Sequence, residues 1–211
     1  MTSNVCPSCG AALETPLGCG QCNSLFEPPG DLSPYLVLGI EPSAGVDAKD
    51  LRSRLLRFSR IVHPDFYGAD EAQRALAEGN TARLNEAYGI LSDDFARVDW
   101  IVKHLGGPSE ADERQMPQAF LMEVLEWNEA LEEARETPAG TALPDSLEAL
   151  EATWNEERAT TLASAIAKLT PFPDPGASAL TDVRKSLNAV RYLDRALREL
   201  EALRLARAAA H

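Results

Sequence analysis

Four cysteines, all before residue 23, are spaced Cys6-x-x-Cys9 and Cys19-x-x-Cys22, with nine residues between the pairs. Thiolates at this spacing can be placed tetrahedrally around one ion, and closed four-cysteine sets are typical of structural Zn²⁺. Each pair is followed by a residue that tolerates positive φ, Gly10 and Asn23, as the tight turn of a metal knuckle requires. Iron of the rubredoxin kind takes the same ligands, and ligand identity alone does not separate the two. A redox dithiol would call for a βαβ pattern around the motif, which is missing. The expectation is one structural Zn²⁺ held by Cys6, Cys9, Cys19 and Cys22, fixing a segment too small to bury a core of its own.

A second constellation is His63-Pro64-Asp65, preceded by Lys49, Arg52, Arg54, Arg57 and Arg60 within twelve residues. Residues 54, 57 and 60 project from one broad helix face. The apolar stripe Leu51, Leu55, Phe58 and Val62, at i, i+4, i+7 and i+11, takes the other. Asp47 is the expected N-cap, and Pro64 bars His63 from helical geometry, so the tripeptide falls in a loop. A charge run is ordinarily a solvated face. With His63-Pro64-Asp65 at its end, this one reads as a docking surface for an acidic partner. Nothing in the chain resembles a nucleophile–base pair, and the protein is not expected to be an enzyme.

The surroundings set bounds on both features. With 33 acidic against 20 basic residues in 211, the net charge is −13. That excludes a general nucleic-acid or anionic-membrane binder, so the positive patch must be local. No run of eighteen apolar residues exists, and Met1 to Cys6 lacks the basic and apolar regions of a signal peptide. The expected location is the reducing cytoplasm, where clustered cysteines serve as metal ligands.

Glu27-Pro28-Pro29-Gly30 closes the cysteine segment with turn formers. Beyond it, Leu84, Tyr88, Leu91, Phe95 and Val98 repeat at helical spacing, so two amphipathic helices facing one core are the simple reading up to about residue 105. Gly106-Gly107-Pro108 and the polar run after it read as a linker. Three helical stretches follow, over 117–136, 145–169 and 177–208, separated by Pro138-Ala139-Gly140 and Pro171-Phe172-Pro173-Asp174-Pro175. Asp145 with Glu148 has capping-box spacing. Leu121, Leu125 and Asn128 share one stripe of the first stretch, and Phe120, Val124, Trp127 and Leu131 another. That is more apolar surface than a single buried face needs.

Pro34-Tyr35-Leu36-Val37-Leu38-Gly39-Ile40, the basic helix, His63-Pro64-Asp65 and Leu84-Asn85-Glu86-Ala87-Tyr88 resemble the ordered landmarks of a J-domain. Beyond them, Ala96-Arg97-Val98-Asp99-Trp100, Ala119-Phe120-Leu121-Met122-Glu123 and Val190-Arg191-Tyr192-Leu193-Asp194 resemble the HscB co-chaperones of iron–sulfur cluster assembly. The cysteine pairs look like the tetracysteine extension of some members.

The resemblance implies an all-α, L-shaped chain: a zinc module (1–30), a helical-hairpin J-domain (31–106), a linker (107–116) and a C-terminal three-helix bundle (117–211). It implies a co-chaperone that stimulates a DnaK/HscA-type ATPase and delivers an IscU-type cluster scaffold to it. Chaperone contact would fall to His63, Pro64, Asp65, Arg52, Arg54, Arg57 and Arg60. Scaffold contact would fall to Leu121, Met122, Leu125, Glu126, Glu129, Arg191 and Tyr192. Two departures stand out: Phe66-Tyr67 follows the tripeptide where members usually carry a lysine or arginine and then Phe, and Tyr192 stands where Phe is frequent. A general J-domain co-chaperone with another client and a rubredoxin-like electron carrier are the alternative readings, and the helix over 117–136 leaves a homodimer open.

Overall fold

The side chain of Asp47 accepts hydrogen bonds from the backbone N–H groups of Lys49 (2.7 Å) and Asp50 (3.1 Å), and so starts α2, Ala48–Val62. Asp70 does the same for α3, Glu71–Ser92, through Ala72 and Gln73. Ahead of them Pro34 opens a four-residue helix, α1, Pro34–Val37, which the sequence reading does not resolve as a helix. Tyr35 of α1 is buried, and its hydroxyl donates to the Ser43 carbonyl at 2.6 Å. α1 and α2 both pack on α3 around Leu51, Phe58, Leu84 and Leu91, so the apolar stripes face one core.

The apolar repeat from Leu84 to Val98 reads as one continuous helix, but the structure divides it. Asp93 is extended (φ −102°, ψ 121°) and its carboxylate accepts from Ala96 N–H at 2.7 Å, ending α3 and capping α4, Asp94–His104. The repeat runs through the break because Leu91 and Val98 stay fully buried on either side of it. Arg97, only 3% exposed, secures this corner by donating to the carbonyls of Leu91 (2.6 Å) and Ala44 (2.8 Å) and pairing with Asp94.

The last three helices are α5, Gln118–Glu136, α6, Ser146–Lys168, and α7, Ala179–Ala208. Phe120, Trp127 and Leu131 of α5 meet Leu147 and Trp154 of α6 and Leu193 and Leu200 of α7 in one core. The segment 107–116 is pinned on α7: Asn188 donates its amide to the carbonyls of Glu113 (2.9 Å) and Gln115 (2.8 Å), and Arg184 Nε to that of Pro108 (2.9 Å).

This computed structural model describes residues 5–68, 70–136 and 146–208; Pro138-Ala139-Gly140 and the expected cap at Asp145 lie outside them. The chain is all-helical, with two isolated β-bridges and no strand among the described residues. It divides into two units, Met1–Trp100 and Ile101–His211. No helix among the described residues is long and apolar enough to cross a membrane.

Candidate functional site

Two knuckles of the same build present the four sulfurs. In the first, Cys6 N–H donates to Ala11 O (2.7 Å) and Gly10 N–H to Cys6 O (2.9 Å); in the second, Cys19 N–H donates to Ser24 O and Asn23 N–H to Cys19 O, both at 2.9 Å. Gly10 (φ +74°) and Asn23 (φ +56°) take the expected left-handed turns. All four Sγ atoms lie within 4.8 Å of one another, with Cys6–Cys22 and Cys9–Cys19 each at 3.7 Å. A tetrahedron of Zn–S bonds near ~2.3 Å has edges of about 3.8 Å, so the four sulfurs fit one ion.

The donors around the sulfurs suit that role. Gln21 N–H donates to Cys19 Sγ at 3.4 Å, and the Ser24 hydroxyl lies 3.2 Å from Cys22 Sγ. The Ser24 side chain, then its backbone, hold the Cys22 thiol down to about 6. At Cys9 the Ala11 amide likewise pulls down, but burial and the thiols of Cys22, Cys6 and Cys19 outweigh it and raise the thiol to about 12. Without a cation the four sulfurs cannot all be thiolates, which is the charge pattern a divalent ion relieves. Four ligands leave no open coordination position, so a bound ion would supply rigidity rather than catalysis.

The cysteine segment is docked on α2 and α3, a relationship the sequence reading lacks. Leu17 is fully buried in the core of Phe58 and Leu84. Asn80, also fully buried, donates to the carbonyls of Leu17 and Phe26, both at 2.9 Å. Thr15 Oγ1 donates to Val37 O at 2.9 Å. Gly39 (φ +62°) comes so near Glu14 that a Cβ there would sit 2.2 Å from its carbonyl oxygen, so only glycine fits. One signal was available: Asn80 is a polar residue on the apolar stripe of Ala77, Leu84, Ala87 and Leu91.

His63 ends α2 with extended geometry (φ −68°, ψ 124°), and Pro64–Tyr67 form a 3₁₀ turn. His63 Nδ1 accepts from Asp65 N–H at 3.3 Å, and Phe66 stands edge-on to the imidazole, with ring centroids 5.8 Å apart. The imidazole thus shapes the turn while the Asp65 side chain is left 85% exposed. The Tyr67 hydroxyl bridges the Ile61 carbonyl (2.8 Å) and the Asn23 carbonyl of the second knuckle (3.0 Å), joining turn, helix and metal segment. Burial, then the Cys22 charge, raise its phenol.

The four arginines of α2 are not equivalent. Arg52, Arg57 and Arg60 are exposed. Arg54 is half-buried and held by Asp50 (2.8 Å) and the Gly39 carbonyl (2.6 Å), where it stabilises the end of α1. Arg57 pairs with Glu14 at 3.1 Å.

In the second unit the two stripes of α5 part. Phe120 and Trp127 are each 5% exposed and stack edge-on at 5.4 Å, while Leu121, Met122 and Leu125 are 44%, 71% and 64% exposed. Glu126 and Glu129 lie exposed on the same helix. From α7, Tyr192 packs edge-on to Phe120 and donates its hydroxyl to Asn128 Oδ1 at 2.7 Å, and Arg191 pairs with Glu110. Exposed carboxylates thus accompany the apolar patch along α5.

Comparison with known proteins agrees with this architecture. The crystal structure of human co-chaperone protein HscB has the same fold, with a TM-score of 0.71 at 22% identity, covering 95% of this chain and 97% of that one. Residues 116–201 match the family described as the HSCB C-terminal oligomerisation domain. The co-chaperone protein HscB homolog of Bordetella avium is 33% identical over 117 residues, spanning 54% of this chain and 70% of that protein. Its Burkholderia mallei counterpart is 39% identical over 120 residues, spanning 56% of this chain; the match covers just under two thirds, 66%, of that relative's length. The chain belongs to the HscB co-chaperone family.

Proposed function

We propose that this protein stimulates ATP hydrolysis by a DnaK/HscA-type chaperone and delivers to it an IscU-type scaffold, promoting transfer of iron–sulfur clusters. The observation that carries the proposal is the Asp65 carboxylate, exposed on a turn that His63 and Pro64 hold in shape, at the end of a helix with Arg52, Arg57 and Arg60 exposed. Asp65 would accept charge-assisted hydrogen bonds from a cationic side chain of the chaperone, and the arginines would meet its acidic surface. Arg54 acts through the α1 corner. The scaffold is assigned to Leu121, Met122 and Leu125, with Glu126, Glu129, Arg191 and Tyr192 at the rim. One Zn²⁺ at the four cysteines is structural.

The test is steady-state ATP hydrolysis by a purified DnaK-type chaperone, with and without scaffold, given wild-type protein or Asp65→Asn. Stimulation that needs both Asp65 and the scaffold supports the proposal. Stimulation by Asp65 indifferent to scaffold moves the client elsewhere, and none at all overturns the reading.

A further inference from the structure

Resting on the ATPase-activating reading, we infer that the metal segment and α2 together form a seat for an acidic segment of the ATPase partner. A groove of about 430 Å³ runs between the second knuckle and α2. Gly18, Gly20 and Gln21 line it from the knuckle, and Arg57, Arg60 and Ile61 from the helix. The two glycines are what let the knuckle lie against Ile61: a Cβ on Gly18 would fall 2.9 Å from Ile61 Cγ2, and one on Gly20 3.4 Å from Cδ1. Gln21 is exposed, and its side chain has no hydrogen-bond partner among the described residues.

The charge of the groove selects the occupant. Arg57 and Arg60 make its helical side cationic in a chain whose net charge is −13. A carboxylate already sits there, that of Glu14, 3.1 Å from Arg57 with both side chains more than half exposed. An exposed pair of this kind contributes little and is readily exchanged for a carboxylate brought by a partner. Tyr67, bonded to both Ile61 and Asn23, ties this groove to the turn carrying Asp65, so one partner can engage both. The metal segment is then half of a docking surface as well as a brace.

Charge changes at residue 21 test this, because they have opposite expected signs at a position the proposed ATPase contact does not otherwise use. The concentration giving half-maximal stimulation of a purified DnaK-type ATPase is measured for zinc-loaded wild-type protein, Gln21→Lys, Gln21→Glu and Glu14→Gln. It should fall about two- to threefold for Gln21→Lys and for Glu14→Gln, which frees Arg57, and rise about as much for Gln21→Glu, with the differences closing in roughly 0.5 M salt. Equal values for the two residue-21 variants, or shifts of the same sign, overturn the inference while leaving the reading intact, provided Asp65→Asn remains silent. Absence of stimulation by the wild-type protein overturns both.

Discussion

The amide of Asn80, on the core face of α3, donates to the carbonyl of Phe26, 54 residues earlier, at 2.9 Å, and so ties the end of the cysteine segment to the helical core. It also donates to Leu17 O, but that oxygen keeps a second bond from Phe26 N–H at 3.0 Å. Asn80→Leu therefore strands one partly buried acceptor rather than two. The expected cost is about 1–3 kcal/mol. Calorimetry should show the first unit melting earlier while the second, which Asn80 does not touch, keeps its transition. An unchanged first transition would show that water replaces the amide.

Metal removal should act on the same unit. Leu17 and Leu25 belong to one core with Phe58 and Leu84, so a chelator that releases the four thiolates also loosens the packing beneath α2 and α3. The expected outcome is a lower melting temperature for the first unit and an unaltered one for the second. Metal analysis of the untreated protein should return about one equivalent of zinc and a colourless solution. Visible absorbance would assign the site to iron instead.

Alkaline stability provides a third check. Burial raises the Tyr35 phenol to about 12, against the pull of the Arg97 charge. In the unfolded chain it ionises near ~10, so between these values the unfolded state has lost its proton and the folded state has not. Stability is complete below the unfolded value and falls as pH rises towards the folded one, by about 2–3 kcal/mol in full. Denaturant midpoints followed upward from pH ~9 should fall more steeply for wild type than for Tyr35→Phe. Parallel slopes would remove Tyr35 from the alkaline limb.

What was legible in the sequence was what local chemistry dictates. The knuckles close through bonds spanning four residues, such as Gly10 N–H to Cys6 O, so ligand spacing and two turn residues suffice to read them. Pro64 excludes helix at His63 by sterics alone. The division of α5 into two apolar stripes is a matter of period, and the fold turned one inward and the other outward. What was hidden depends on contacts distant in sequence. Tyr67 reaches Asn23 across 44 residues and Arg54 reaches Gly39 across 15, so neither the docking of the metal segment nor the capture of one arginine can be read from periodicity. The break at Asp93 was masked because a capped corner keeps Leu91 and Val98 on the buried side.

Neighbouring residues of α5 should respond to truncation in opposite ways. Phe120 lies in a cluster of edge-on rings, 5.4 Å from Trp127 and 5.8 Å from Tyr192, whereas Leu121 and Leu125 are 44% and 64% exposed. Phe120→Ala opens a cavity among aromatic rings and should cost about 3–5 kcal/mol. Leu121→Ala with Leu125→Ala removes half-exposed surface, and the melting temperature should stay close to that of wild type. If the patch carries the scaffold, the double variant should weaken binding of an IscU-type scaffold at least tenfold in titration calorimetry, about 1.4 kcal/mol, without changing chaperone stimulation measured in its absence. A double variant that melts early would return both leucines to the core. One that melts normally and binds as tightly as wild type would place the scaffold elsewhere on the protein.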